Sequence, residues 1–148
     1  MIPVSLEFSG LNSYREQQSI DFSDLMSQGL FGIFGVTGAG KSTVLDAMTL
    51  ALFGQVNRAP SRTQGIINAR ENRCRVRFVF GLSGHSYAAE RVFERVKGDP
   101  YSCTARSCRL VEDGSLVLAD KSRVMDGEIE KLLNMDCERF CQTVILPQ

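Results

Sequence analysis

One run of residues constrains this chain more than anything else in its 148 positions. Gly35-Val36-Thr37-Gly38-Ala39-Gly40-Lys41-Ser42, followed by Thr43, fits the phosphate-binding pattern G-x-x-x-x-G-K-[ST]. Before it stands the continuous apolar run Gly29-Leu30-Phe31-Gly32-Ile33-Phe34, which reads as a strand buried on both faces. After it, residues 41–53 are apolar at almost every turn and stop at Gly54, which reads as a helix. A helix apolar nearly all round must be covered on more than one side. The pattern therefore predicts a strand, a glycine-rich turn and a helix in an α/β fold.

The chemistry follows from the residue types. Glycines let the backbone curl so that successive N–H groups, from Gly38 through Thr43, point inward at phosphate oxygens. The helix start adds about half a positive charge at the same place. Lys41 would reach the β- and γ-phosphates of a nucleoside triphosphate, and the Ser42 hydroxyl would complete the coordination of Mg²⁺. A glycine-rich turn ahead of an ordinary core helix would not explain a Lys-Ser pair in the first turn. Such a loop does not specify the machine built on it. Neither the D-x-x-G nor the N-K-x-D of a GTPase occurs. Leu116-Val117-Leu118-Ala119-Asp120 imitates a Walker B strand, and Leu82-Ser83-Gly84-His85 imitates the start of an LSGGQ signature. Both read instead as parts of hairpins.

The rest of the chain reads as antiparallel hairpins and short helices. Val4, Leu6 and Phe8 alternate with polar residues and turn at Gly10, and Ser19-Ile20-Asp21-Phe22 pairs back. Residues 55–73 are polar and Arg-rich and contain Pro60, so they read as a loop. Residues 74–82 and 87–96 flank the turn Ser83-Gly84-His85-Ser86; residues 103–111 and 116–119 flank Glu112-Asp113-Gly114-Ser115. Ser122 can cap a helix reaching Asn134, with Val124, Met125, Ile129, Leu132 and Leu133 inward. A short helical turn at 136–140 leads to the extended Thr143-Val144-Ile145-Leu146-Pro147-Gln148.

Charge and cysteine usage narrow the class. Seventeen cations and seventeen anions cancel, yet they segregate. Residues 1–57 carry Arg15 and Lys41 against Glu7, Glu16, Asp21, Asp24 and Asp46; residues 58–109 hold eleven basic against four acidic side chains; residues 110–138 hold three against eight. The central stretch is therefore the basic one, and clustered Arg is suited to phosphate or nucleic-acid contact. Five cysteines without a C-x-x-C match no common zinc spacing and read as small buried thiols of a reducing compartment. His85 has no partner cluster in its neighbouring sequence, so neither a catalytic triad nor a metal role is read for it. No apolar run is long enough to span a membrane, and Met1 to Phe8 does not read as a secretory signal, so a cytoplasmic domain is expected.

With the phosphate loop placed, its flanks carry a resemblance. Leu6-Glu7-Phe8-Ser9-Gly10-Leu11-Asn12-Ser13-Tyr14-Arg15, then Ile20-Asp21-Phe22, the run into the loop, Leu45-Asp46-Ala47, Phe53-Gly54 and the Leu146-Pro147-Gln148 tail are involved. Together they resemble the amino-terminal ATPase lobe of the SbcC family, bacterial ABC-type ATPases of the structural-maintenance-of-chromosomes class that drive a double-strand-break nuclease. The resemblance implies a P-loop NTPase lobe over residues 1–148, with a mixed sheet around the P-loop helix, antiparallel β-hairpins, and an end at the Q-loop. It implies ATP and Mg²⁺ as cofactors, held by Gly35, Val36, Thr37, Gly38, Ala39, Gly40, Lys41, Ser42 and Thr43. Asn12 and Arg15 would lie beside the nucleotide, and Gln148 would touch Mg²⁺ or the attacking water; Arg62 is a further nucleotide-contact candidate. Lys41 and Gln148 would be the catalytic residues, with Ser42 and Gln148 toward the metal.

The family's coiled coil, LSGGQ signature, Walker B motif and catalytic Glu have no counterpart in these residues. The chain is thus expected to be half of one ATP site in a head that pairs with a second head, hydrolysing little alone. In the complete protein the implied partners are DNA, through its backbone, and an SbcD-type nuclease subunit. Arg75 and Arg77, which alternation puts on one strand face, are the DNA-contact candidates. A P-loop kinase and a nucleotide-sensing module without turnover are the rival readings.

Overall fold

A computed structural model of the chain describes residues 1–28 and 32–143. Its core is one six-stranded sheet in the order β2-β1-β3-β4-β5-β6. The strands are β1 (Ile2–Ser9), β2 (Gln18–Asp21), β3 (Arg73–Leu82), β4 (His85–Arg95), β5 (Cys103–Glu112) and β6 (Leu116–Ala119). Helices α1 (Lys41–Phe53), α2 (Ser122–Leu133) and α3 (Cys137–Thr143) complete the fold.

Every pairing in this sheet is antiparallel, so the mixed sheet expected around the P-loop helix is corrected among the described residues. The reason lies in the connections. Tight turns join β3 to β4 and β5 to β6, and a tight turn can only reverse the chain. The expected strand before the phosphate loop is only partly described. Residues 29–31 lie outside the described residues, and Gly32 to Phe34 form no strand, with Phe34 85% exposed.

Alternation in β3 places Cys74, Val76, Phe78 and Phe80 on the inner face, all fully buried. The register sets Phe78 opposite Leu6 and Ala89, and Phe80 opposite Tyr87, whose ring stacks on it at 5.5 Å. Helix α1 lies across β3 and β4 on this face and touches α2 and α3 as well, which is the cover its apolar surface requires. It stops at Gly54 as expected: φ is 66°, and the Gly54 N–H donates to the Leu50 carbonyl at 3.0 Å.

Gly54 has a second role that no local pattern signals. A side chain there would press on Arg91, which crosses the end of α1 and is fully buried. Arg91 Nε donates to the Ala51 carbonyl at 3.0 Å and Nη2 to that of Leu52 at 2.8 Å. Its other donors reach Ser122 Oγ at 3.1 Å and Asp126 Oδ1 at 2.6 Å. One guanidinium therefore caps the negative end of α1 and ties it to the first turn of α2. Ser122 is engaged here and does not cap α2, whose N-cap position is Lys121. Val124 is exposed; the inward stripe is Met125, Ile129 and Leu133, with Leu132 partly buried.

The expectation of buried thiols is met at three of the five positions. All five cysteines are free; Cys74, Cys108 and Cys137 are buried, and Cys103 and Cys141 are half-buried. Burial pushes the Cys74 thiol up to about 12 and Cys141 up to about 11. A group whose thiolate is this disfavoured reacts slowly. At pH 8 the native chain should therefore take up iodoacetamide at these two positions at least tenfold more slowly than the urea-unfolded chain, read by mass spectrometry of the peptides. Equal native and unfolded rates would contradict the burial.

Candidate functional site

The phosphate loop and the β1 corner converge on the start of α1. Gly38 and Gly40 have φ of 85° and 83°, left-handed values that glycine adopts freely. A Cβ on Gly38 would meet nothing within 4 Å, so the loop is open on that side. A Cβ on Gly40 would collide with the Tyr14 ring, which lies over the loop and donates its hydroxyl to the Ala39 carbonyl at 3.1 Å. Phe8 holds Tyr14 edge-on at 5.3 Å. Lys41 folds back across the loop and donates to the carbonyls of Gly35 at 2.6 Å and Val36 at 2.9 Å. No side chain caps α1 at Gly40.

The same end of α1 carries a polar cluster to which no sequence motif assigns a role. Asp46 is the one acidic residue in α1, and it is buried. Arg58, from the loop after α1, holds it with Nε at 2.9 Å from Oδ1, while Nη2 pairs with Oδ2. Asn12 Nδ2 donates to Asp46 Oδ2 at 3.0 Å and reaches Thr43 Oγ1 at 3.5 Å. Asn12 is itself fixed, with φ at 50°, its N–H on the Ile66 carbonyl at 2.8 Å and its carbonyl accepting from Asn68 Nδ2 at 2.7 Å. A single Asp in α1 was the available signal; its partners were not readable from spacing.

Of the sequence-predicted site residues, Gly35, Val36, Thr37, Gly38, Ala39, Gly40, Lys41, Ser42 and Thr43 form one loop, and Asn12 stands against its last member. Arg15 lies on the same corner as Tyr14 but is engaged elsewhere, with Nε 2.6 Å from Glu71 Oε1. Arg62 is exposed on the wall of a separate cleft of about 290 Å³ that also takes in Gln55, Glu138 and Gln142. Gln148 lies outside the described residues.

The expected DNA-facing arginines do share the outer face of β3, opposite Val76, Phe78 and Phe80. They are not free cations. Arg75 pairs with Glu90 through two bonds of 3.0 Å, and Arg77 lies 3.5 Å from Glu7. Arg73 pairs with Glu94 at 2.6 Å. Elsewhere in the basic stretch, Arg91 is buried and Arg95 binds the carbonyls of Ile67, Asn68 and Glu71. Much of the local positive excess is consumed inside the fold.

What this arrangement fits is an anion. An uncapped helix N-terminus, an ammonium poised over the loop and two adjacent hydroxyls match the oxygens of a polyphosphate and its divalent cation. Known proteins agree. The AAA domain family matches residues 5–144. The whole chain is 46% identical over 153 aligned residues to the SbcC subunit of the nuclease SbcCD from Bacillus subtilis, of which it covers 13%. It is 35% identical to the protein of the same name from Clostridium acetobutylicum, covering 13% of it. It is 33% identical to a "Probable DNA double-strand break repair Rad50 ATPase" of Aquifex aeolicus, covering 14%. The chain thus spans about one seventh of the length of these relatives. It belongs to the AAA domain family of P-loop ATPases, as an amino-terminal head segment of the SbcC type.

Proposed function

We propose that this chain is the ATP-binding half of a DNA-repair ATPase head, with Gly35 to Thr43 holding Mg²⁺–ATP. The observation that carries the reading is Lys41, whose ammonium rests on the Gly35 and Val36 carbonyls at the mouth of the loop. There it is positioned to exchange two neutral acceptors for phosphate oxygens, which make stronger charge-assisted bonds. Ser42 would supply a metal ligand and Thr43 a second hydroxyl. Asn12, bonded to Asp46 and near Thr43, would sit beside the nucleotide; Arg15 would have to leave Glu71 to approach it. Bound Mg²⁺ would neutralise charge on the phosphates during hydrolysis. Gln148 is proposed to approach that ion or the attacking water.

In the complete protein, ATP binding would close two heads and hydrolysis reopen them, controlling access of DNA ends to a nuclease subunit. The names of the relatives support a repair nuclease. The ion pairs of Arg75 and Arg77 argue against assigning duplex contact to that face. Lys41→Ala is expected to weaken ATP binding to the chain ten- to a hundred-fold, about 1.4–2.8 kcal/mol, by calorimetry. Unchanged affinity would overturn the site. Phosphate transfer to a small-molecule acceptor would favour the kinase reading, and binding without turnover in the full-length protein would favour a nucleotide sensor.

A further inference from the structure

The turns of the two hairpins meet at one end of the sheet. Ser83 and Gly84, with φ of 52° and 89°, link β3 to β4, and Asp113 and Gly114, with φ of 47° and 76°, lead from β5 to β6. Leu82 pairs with His85, so His85 opens β4 and is not part of the turn. Because β4 and β5 are neighbours with Tyr87 opposite Glu112, the start of one strand lies beside the end of the other. The Asp113 N–H donates to the Ser86 carbonyl at 2.7 Å, and the Ser86 N–H donates to Asp113 Oδ1 at 2.8 Å.

These bonds assemble the partner cluster that the sequence around His85 lacks. Nδ1 of His85 lies 2.8 Å from Asp113 Oδ2 and 3.6 Å from Glu112 Oε1. The three donor atoms all fall within 4.8 Å of one another. A tetrahedral ion with bonds of about 2.0–2.2 Å spaces its ligands roughly 3.3–3.6 Å apart, so small side-chain rotations would seat one. Charge points the same way. Among the described residues, His85 is the sole ion-pair partner of both carboxylates, so two anions face one imidazole. Each carboxylate also has an orienting donor: the Tyr87 hydroxyl at 2.8 Å from Glu112 Oε1, and the Ser86 N–H on Asp113. Beside them opens a groove of about 460 Å³ whose wall includes Ile2, Leu82, His85 and Asp113.

We propose that His85, Glu112 and Asp113 form a divalent-cation site, separate from the phosphate loop, with Nδ1 and one oxygen of each carboxylate as ligands. A set of one imidazole and two carboxylates suits Zn²⁺ better than Mg²⁺, which prefers oxygen alone. The groove leaves the fourth position open to water. The hydrogen bond to Asp113, with the charges of Asp113 and Glu112, keeps the His85 ring protonated to a higher pH than a free imidazole.

His85 is the chain's single histidine, so its ring gives one unambiguous set of NMR signals. Zinc chloride added to the chain at pH 7.5 is expected to shift those signals saturably at one equivalent, with reversal by EDTA and no response to Mg²⁺. Glu112→Gln and Asp113→Asn should each weaken the Zn²⁺ affinity at least tenfold. Signals unmoved by excess Zn²⁺ would overturn the site, including the case where zinc binds only at cysteines. So would an equal shift in both variants, which would mean adventitious binding to an exposed imidazole. Nucleotide affinity plays no part in either readout, so failure here is distinct from failure at the phosphate loop.

Discussion

Arg91→Met is expected to lower the unfolding free energy by about 3–5 kcal/mol, the largest loss from any single charged residue of this fold. What remains behind sets the cost. Methionine can fill the apolar part of the slot between Ala89 and Phe93, so packing is largely kept. It cannot donate, and the Ala51 and Leu52 carbonyls at the buried end of α1 then lose their partner. Each unsatisfied buried carbonyl costs about 1–3 kcal/mol. Asp126→Ala keeps the bonds to those two carbonyls but removes the anion beside a fully buried guanidinium, so its loss, about 1.5–3 kcal/mol, reads the unpaired charge. Urea unfolding of both variants separates these contributions. If Arg91→Met stays within about 1 kcal/mol of the parent while keeping the same m-value, water must reach those carbonyls and the buried-cap account fails.

Arg91 also marks where the sequence stopped being informative. Alternation in β4 runs Tyr87, Ala89, Arg91, Phe93 on the inner face, so its parity was readable from the start. What opposes parity is the cost of burying a cation, and that cost is offset only by carbonyls forty residues away in sequence. Spacing cannot show such a partner. The same holds for Asp46 with Arg58, and for His85 with Asp113: both sets close only when the fold brings separate segments together. By contrast, α1 with its stop at Gly54 and the two hairpins were legible because their determinants are local, namely apolar periodicity and left-handed glycines. Gly32 to Phe34, the described part of the run before the loop, form no strand for the converse reason. An apolar run reports a preference for burial, while a strand exists only if a neighbour is present to pair with it.

At the site, the glycine-rich loop was legible for its chemistry, since Lys and Ser in a helix's first turn have no structural need there. Asn12 was singled out only through family resemblance, and the structure sets it against Asp46. The corner that holds it in place was not legible at all.

That corner should be the second point of large loss: Gly10→Ala is expected to destabilise the chain by about 2–5 kcal/mol. Two costs combine. Gly10 has φ at 64°, where a non-glycine residue is strained by about 1–2 kcal/mol. A Cβ there would also collide with the Arg73 carbonyl oxygen and stand 3.2 Å from its carbon, at the first residue of β3. Both are backbone atoms of the sheet, so relief requires β1 and β3 to part, an overpacking strain of about 1–3 kcal/mol. Gly98→Ala provides the comparison. Gly98 has φ at 88° and nothing within 4 Å of a new Cβ, so it should show the conformational cost alone. Urea midpoints of the two variants therefore isolate the collision, and equal losses would sink it. The consequence reaches the site because the Gly10 carbonyl accepts from the Asn68 N–H at 2.9 Å, and Asn68 in turn holds Asn12. A Gly10→Ala chain still folded at low temperature should bind ATP more weakly than the parent, whereas Gly98→Ala should bind as the parent does.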